Sequence, residues 1–181
     1  SAGEYEGRQS AFTEKTINEV VRASYEMGEV KTGALIVIEQ NVALGEYVRT
    51  GITIDGLVTS QLLINIFEHN TPLHDGAVII RGNRIVSATC YLPLTDSMDI
   101  GKELGTRHRA AVGISEVSDS LTIIVSEETG AVSLAKDGRL YKHLQKEELV
   151  EKLQQLKVDD TGNADVFKKW KDLLRNEKSE K

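Results

Sequence analysis

The sequence predicts a single α/β domain in which a central mixed β-sheet is flanked by helices. Helical apolar patterns stand at both ends of the chain, and short apolar runs joined by glycine-containing turns lie between them. A length of 181 residues is enough for one domain with a sizeable core. The hydrophobic content of 40% and charged content of 28% are typical of globular proteins and exclude a disordered chain.

The first third of the chain predicts a helix, a buried strand and an extended segment. Apolar residues recur at helical spacing over residues 9–27. Residues 34–38 are all apolar, which is typical of a strand covered on both faces. Residues 41–47 predict a loop or a short helix, and residues 51–56 predict a short extended segment.

The middle of the chain predicts a helix followed by a hairpin. Thr59 or Ser60 can cap the helix, which ends near Asn70 because Pro72 prevents its continuation. Gly82-Asn83 lies between apolar runs at residues 77–80 and 85–92, which favours a β-hairpin. Residues 95–103 are polar and predict a loop.

The last third predicts one more helix, a second set of hairpins and a charged C-terminal helix. The helix is expected at residues 110–117 and the strands at residues 121–125 and 131–135. Asp137-Gly138 then turns the chain toward a further strand, and the pattern is helical and charged from Lys146 onward. We expect three segments: residues left from expression or a flexible N-terminus at 1–7, the main domain at 8–145 and a charged helical extension at 146–181.

Charge and cysteine content restrict the partners and the compartment. The net charge of −6 argues against broad nucleic-acid binding, so no nucleic-acid partner is predicted. The one cysteine, Cys90, lies in an apolar run and is expected in the core of a protein from a reducing compartment. No apolar run reaches the ~18–20 residues that span a bilayer. Because the chain starts with Ser-Ala-Gly rather than Met, the natural protein is expected to extend upstream.

The segment Leu73-His74-Asp75-Gly76-Ala77 places a carboxylate beside an imidazole at the start of an apolar strand. Asp75 and His74 are therefore candidate ligands of a metal ion. Gly76 would let a phosphate or a sugar approach the backbone closely. The alternative is an ordinary Asp-Gly turn without a functional role.

The segment Gly105-Thr106-Arg107-His108-Arg109 places two guanidinium groups where a helix begins. Cations lie there at the positive end of the helix dipole, and a bound phosphate would offset that repulsion. Arginine suits bidentate phosphate contacts, and the hydroxyl of Thr106 can cap the helix or bind a phosphate oxygen. The alternative is a surface charge run that pairs with Glu103 and Glu116.

Other polar residues stand at the ends of predicted strands. Glu39 and the segment Ser126-Glu127-Glu128 each follow a buried strand, where ligands bind in open α/β sheets. Glu39 can be a functional residue or, equally, an edge carboxylate without a functional role. Tyr91-Leu92 can pack on a flat base, whereas His69 and His143 are expected to be surface or structural residues.

Taken together, these segments resemble the diadenylate cyclase (DAC) domain. Four segments carry the resemblance, which covers roughly residues 12–141: residues 33–39, 60–67, 73–77 and 105–109. It implies a transferase that condenses two ATP into cyclic di-AMP and two pyrophosphates, with residues 8–145 as the catalytic domain. It also implies a DAC-type fold with the mixed sheet already predicted.

The resemblance assigns roles to individual residues. Catalysis and the attacking hydroxyl would involve Asp75, Gly76 and Ala77, and a divalent metal, Mg²⁺ or Mn²⁺ with Co²⁺ as a third option, would bind Asp75 and His74. The triphosphate would be held by Gly105, Thr106, Arg107, His108 and Arg109. The adenine and the rest of the nucleotide would contact Tyr91, Leu92, Ser126 and Glu128.

The resemblance also predicts an assembly and a location. Because the product is two-fold symmetric, catalysis is expected to need a homodimer with one ATP in each subunit. The chain is similar to the membrane-anchored (CdaA-like) branch, which implies a parent protein at the cytoplasmic face of the membrane, bound by regulatory proteins, with this domain soluble. The alternative is a non-catalytic module that senses ATP or a cyclic dinucleotide, and a purely structural domain ranks third.

Overall fold

The computed structural model describes residues 12–161, and within them the chain forms a seven-stranded sheet with five helices. The strands are β1 (Ala34–Ile38), β2 (Ile52–Leu57), β3 (Ala77–Arg81), β4 (Arg84–Cys90), β5 (Leu121–Val125), β6 (Val132–Lys136) and β7 (Arg139–Tyr141). The helices are α1 (Glu14–Glu29), α2 (Gly45–Val48), α3 (Ser60–Phe67), α4 (Thr106–Val117) and α5 (Lys146–Thr161). The predicted mixed α/β fold is confirmed.

The polarity of the strands determines which chain ends meet. The sheet order is β2-β4-β3-β1-β5-β6-β7, with β1 and β3 parallel and the other neighbouring pairs antiparallel. As a result, the amino ends of β1 and β3 lie at the same end of the sheet, along the strand direction, as the carboxyl ends of β4 and β5. The polar segments that precede β3 and follow β4 and β5 therefore converge there.

Both faces of the sheet are covered, as the unbroken apolar run of β1 predicts. Ala34, Ile36 and Ile38 face one core, which also contains residues of α1, α3 and α5. Leu35 and Val37 point the other way and pack into a second core with residues of α4. The α5 residues that enter the first core are Leu149 and Leu153, both fully buried, so the start of the predicted C-terminal extension packs onto the domain.

Most predicted helices and strands are confirmed, and the differences lie in the residues at which they begin or end. Helix α1 begins at Glu14 after Thr13, whose hydroxyl accepts the N–H of Thr16 at 3.3 Å; residues 9–11 lie outside the described residues. Both alternatives for residues 41–47 occur, since residues 41–44 form a loop and α2 begins at Gly45. Thr59, not Ser60, caps α3.

Two boundaries differ from expectation near the polar segments. Strand β4 ends at Cys90 rather than Leu92, and Thr89, the residue before its end, has a left-handed backbone (φ 56°). Helix α4 begins at Thr106, so the basic segment is part of the helix. Its N-cap is Gly105 and no side chain caps it, so capping by the Thr106 hydroxyl was a wrong expectation. Residues 162–181 lie outside the described residues.

The two outer strands of the sheet are short or irregular. Strand β2 carries a bulge between Thr53 and Gly56, where Asp55 has a φ of 48°. The guanidinium of Arg84 donates to the Asp55 carbonyl at 2.6 Å and to its carboxylate at 3.2 Å. Strand β7, at the other edge, has three residues. None of the helices within residues 12–161 has the length and apolar content needed to cross a membrane.

Candidate active site

An open cavity of about 510 Å³ lies at the end of the sheet where the polar segments converge. Its volume is within the range of small-molecule sites. Eleven of the predicted site residues line it: His74, Asp75, Gly76, Tyr91, Leu92, Gly105, Thr106, Arg107, His108, Ser126 and Glu128.

Two predicted residues support the cavity from outside its lining. Ala77 is fully buried in the core beneath α4. Arg109 is half-buried, and its backbone carbonyl accepts the N–H of Thr95 at 3.1 Å, which ties α4 to the loop between β4 and α4. Of the three basic residues in this segment, Arg107 and His108 therefore line the cavity and Arg109 does not.

His74 and Asp75 form a pair suited to a cation. The Nδ1 atom of His74 lies 2.6 Å from the carbonyl of Thr71, which can only accept a hydrogen bond, so Nδ1 carries the hydrogen. The Nε2 atom then faces the Asp75 carboxylate, 3.2 Å from Oδ1. Two acceptors at that distance repel each other unless a proton or a metal ion neutralises them.

The donor set fits a divalent metal, because an imidazole nitrogen and a carboxylate oxygen are both common ligands. In a histidine that binds a metal through one ring nitrogen, the other ring nitrogen usually donates a hydrogen bond, often to a carbonyl, as Nδ1 of His74 does to Thr71. The Asp75 side chain is 86% exposed, which leaves room for further ligands. Within residues 12–161 no three His, Cys, Asp or Glu side chains are grouped to hold a metal, so phosphate or water oxygens would complete the coordination.

Gly76 is required by a close approach of strands next to Asp75. Its φ is 80°, and a Cβ atom there would lie 2.8 Å from the carbonyl carbon of Thr89 and 2.9 Å from the Cys90 oxygen. The pairing of β3 with β4 shifts register beside this point. A β-branched residue such as Thr89 is strained at positive φ, and bulges of this kind often direct side chains at functional sites.

The guanidinium of Arg107 is held between a glycine and a carboxylate. A Cβ atom at Gly33 would lie 2.5 Å from the Cζ and Nη1 atoms of Arg107, so the guanidinium occupies the space that this glycine leaves. Nη1 also lies 3.3 Å from Oε2 of Glu127. Glu103, the partner expected for a surface charge run, instead pairs with Lys142 at 3.7 Å. The alternative reading of the basic segment is therefore wrong in its pairing.

His108 lines the cavity from the first turn of α4. Its side chain is buried, and burial, together with the nearby cations Lys142 and Arg107, lowers its pKa below the usual value although Glu128 opposes the shift. The lowered pKa favours the neutral ring, which can donate and accept hydrogen bonds without adding charge to the cavity.

The remaining predicted residues form the opposite wall and its turn. Tyr91 is 72% exposed at the cavity, whereas Leu92 is buried below it, so together they offer an apolar surface to a flat ring. The hydroxyl of Ser126 accepts the N–H groups of Glu128 and Thr129, both at 3.2 Å. Its own hydrogen remains available for donation to a ligand.

Two residues that were not predicted as site residues, His69 and Glu127, also line the cavity. His69 is exposed, as predicted, but it lines the cavity, and its ring centroid lies 5.8 Å from that of His74 at 64°. Glu127 also lines the cavity. The sequence analysis noted Ser126-Glu127-Glu128 as a polar segment after a strand. No sequence pattern indicated that Glu127 contacts Arg107 or that the rings of His69 and His74 lie close together.

Glu39 follows the central strand β1, at the end of the sheet opposite the cavity, and has a structural role. Its carboxylate accepts two hydrogen bonds from Arg81, at 2.6 and 3.1 Å, and one from the N–H of Leu44 at 2.9 Å. Because β1 runs antiparallel to β5, the carboxyl end of β1 is far from the cavity. The alternative of an edge carboxylate is the one that the structure supports.

Residues 21–140 match the DAC family model, described as the DisA bacterial checkpoint controller nucleotide-binding domain. The chain is 58% identical over 141 residues to cyclic di-AMP synthase CdaA of Bacillus subtilis, covering 78% of this chain and 52% of that protein. It is 51% identical over 156 residues to a diadenylate cyclase of Listeria monocytogenes, covering 86% and 57%. The chain thus spans little more than half the length of these curated relatives.

The fold comparison agrees with the sequence comparison. The structure resembles a double mutant of DacA from Staphylococcus aureus with a TM-score of 0.77 and 51% identity, over 78% of this chain and 95% of that one. It also resembles a hypothetical membrane spanning protein of Bacillus cereus with a TM-score of 0.70 and 47% identity, over 74% and 65%. The resemblance noted in the sequence is confirmed, and the chain belongs to the DAC family of nucleotide-binding domains.

Proposed function

We propose that this chain is the catalytic domain of a diadenylate cyclase that joins two ATP molecules into cyclic di-AMP and releases two pyrophosphates. The observation that carries the proposal is that one cavity places the His74–Asp75 pair opposite the end of α4 that bears Arg107. The relatives that share this domain at 51–58% identity are named diadenylate cyclase or cyclic di-AMP synthase, which supports the same activity.

In the proposed reaction, the 3′-oxygen of each ATP bonds to the α-phosphorus of the other. The bond from that phosphorus to the oxygen bridging the α- and β-phosphates breaks, pyrophosphate leaves with the electron pair, and the hydroxyl proton passes to solvent. Asp75 lies exposed at the cavity, where its carboxylate can accept the hydrogen bond of the hydroxyl and orient it. Arg107 and the free N–H groups at the start of α4 stabilise the phosphate charge.

The other residues bind and orient the nucleotide. Tyr91 and Leu92 offer a surface on which adenine can stack, and Ser126 and Thr106 have hydroxyls that can donate to phosphate or ribose oxygens. His74 and Asp75 are the residues that would hold Mg²⁺ or Mn²⁺, with Co²⁺ as a third option. When bound, such an ion lowers the pKa of the hydroxyl and neutralises charge on the phosphates.

The proposal extends to the assembly and the location of the whole protein. Because each ATP must attack the other, two cavities are expected to face each other across a two-fold axis. We place the whole protein at the cytoplasmic face of the membrane, where regulatory proteins can bind it. The similarity to a hypothetical membrane spanning protein of Bacillus cereus supports that placement.

The test is to incubate the protein with ATP and Mg²⁺ or Mn²⁺ and to identify the nucleotides by chromatography and mass. Wild type is expected to form a product with the mass of cyclic di-AMP. Asp75→Asn should reduce turnover by at least roughly 10³-fold, while ATP binding is largely retained, because the reacting hydroxyl loses its charged acceptor and the metal ion its carboxylate ligand.

Asp137→Asn is the matched control, since Asp137-Gly138 is also an Asp-Gly pair but lies in the exposed turn between β6 and β7. It should leave turnover unchanged. Bound but unconverted ATP at high protein concentration, with either metal, would contradict the cyclase and favour the sensing module. Near-wild-type turnover by Asp75→Asn would contradict the role given to this carboxylate.

A further inference from the structure

Arg107, which lines the cavity, and Lys142, which lies near His108, each already face a carboxylate. Arg107 lies 3.3 Å from Glu127, and Lys142 lies 3.7 Å from Glu103. The two carboxylates line the cavity itself. Carboxylates are unfavourable neighbours for a triphosphate, so their position beside the cations needs a reason beyond phosphate binding.

The Arg107–Glu127 pair is asymmetric in a way that decides which partner can move. The Arg107 side chain is 26% exposed, and its guanidinium packs against the backbone of Gly33. The Glu127 side chain is 63% exposed and lies in the turn that follows β5. The carboxylate can therefore swing into solvent while the guanidinium stays where it is.

The energetics favour an exchange of partners. An ion pair with one largely exposed partner contributes little, because water and salt screen it and the side chains lose freedom. A phosphate group can accept two parallel hydrogen bonds from one guanidinium, which is a stronger and better-defined contact. A polyanion should therefore displace Glu127, and Glu127 should return when the polyanion leaves.

We propose that Glu127 is a placeholder that competes with the substrate phosphates for the Arg107 guanidinium. It keeps the guanidinium paired in the free enzyme, lowers the affinity for the triphosphate, and helps to displace pyrophosphate after the reaction. This inference rests on the proposed function, because it assigns the phosphates of ATP to Arg107. Glu127 is a positioning residue in this scheme and does not touch the reacting atoms.

A merely supporting role for Glu127 makes the opposite prediction. If the carboxylate were needed to hold Arg107 in place, then Glu127→Gln would weaken phosphate binding. If it competes, the same variant binds phosphates more tightly. The sign of the change in the dissociation constant therefore separates the two roles.

The experiment is calorimetric titration of wild type and Glu127→Gln with two probes that cannot react, magnesium pyrophosphate and 3′-deoxy-ATP. Both should bind Glu127→Gln roughly two- to fivefold more tightly, the range expected for release of an exposed ion pair. The difference should shrink at high salt. In an Arg107→Ala background the Glu127→Gln change should have no effect on affinity, because the competed group is gone.

Glu116→Gln is the matched control, since it removes the same charge from an exposed position on α4 that does not line the cavity. Weaker binding by Glu127→Gln, or a change equal to that of Glu116→Gln, would overturn the placeholder role. If wild type binds both probes and Glu127→Gln does not tighten them, only this inference fails. If wild type binds neither probe, the proposed function fails together with it.

Discussion

Gly33 determines where the Arg107 guanidinium lies, because a side chain at this position would occupy the same space. Gly33→Ala would place a Cβ atom 2.5 Å from the guanidinium carbon. The displaced group is the far end of a flexible side chain, so the fold should tolerate the change while the cation moves away from the cavity. We expect ATP affinity to fall roughly tenfold, the size of one lost charged hydrogen bond, with an unchanged melting temperature.

Gly45→Ala is the matched control for this prediction, because its Cβ atom would also meet a guanidinium, that of Arg49 at 3.3 Å. Gly45 lies in α2, outside the cavity lining. Calorimetry with 3′-deoxy-ATP and thermal denaturation measure the two effects separately. Unchanged affinity in Gly33→Ala would contradict the assignment of Arg107 to the phosphates.

At the residue scale, the sequence indicated the polar groups that line the cavity better than it indicated their partners. Asp75 and Arg107 were predicted because a carboxylate next to an imidazole, and two arginines at a helix start, are unusual in themselves. The partners of these groups come from distant segments: Gly33 and Glu127 meet Arg107 only because β1 pairs with β5. Spacing within one segment carries no information on such a pairing.

Glu39, which follows β1, joins three elements at the end of the sheet opposite the cavity, since its carboxylate accepts hydrogen bonds from Arg81 at the end of β3 and from the Leu44 N–H before α2. Its side chain is 8% exposed. We expect Glu39→Gln to lower the free energy of unfolding by about 1–3 kcal/mol at neutral pH, because the guanidinium loses its charged partner. Urea denaturation measures the loss, with the exposed Glu29→Gln as control.

This contribution of Glu39 should depend on pH. Burial raises the pKa of Glu39, but the hydrogen bonds from Arg81 and Leu44 outweigh it, so the pKa in the folded protein lies below the usual value of a glutamate. The unfolded chain then binds the proton more readily, and the stabilisation is present above the unfolded pKa and is lost as pH falls through the folded pKa. The stability gap between wild type and Glu39→Gln should narrow below about pH 4.5. A gap that widens on acidification would contradict this pairing.

At the element scale, apolar runs and turn residues predicted nearly all strands, while strand order stayed open. Gly82-Asn83 and Asp137-Gly138 join neighbouring strands, and such hairpins can be predicted from the turn alone. The parallel pair β1–β3 and the antiparallel pair β1–β5 could not be predicted in this way. Strands buried on both faces lack the alternation that would indicate a register or a partner.

The whole molecule is expected to work in pairs, because one cavity per chain cannot carry out both attacks of the proposed reaction. Specific cyclase activity should therefore rise with enzyme concentration and level off once dimers dominate. Activity measured alongside sedimentation analysis checks this. The affinity for 3′-deoxy-ATP per chain should not change over the same range, as each cavity binds one nucleotide on its own. Constant specific activity from a verified monomer would contradict the pairing.

The irregular outer strands of the sheet bear on how such copies can meet. A free strand edge normally invites another chain to add a strand, which leads to open-ended stacking and fibrils. Here the bulge at Asp55, with the Arg84 charge beside it, disrupts the donor and acceptor row of β2, and β7 is too short to serve as a template. Copies brought together at high local concentration therefore have little opportunity to continue the sheet from one molecule to the next, and crowding should favour discrete complexes over aggregates.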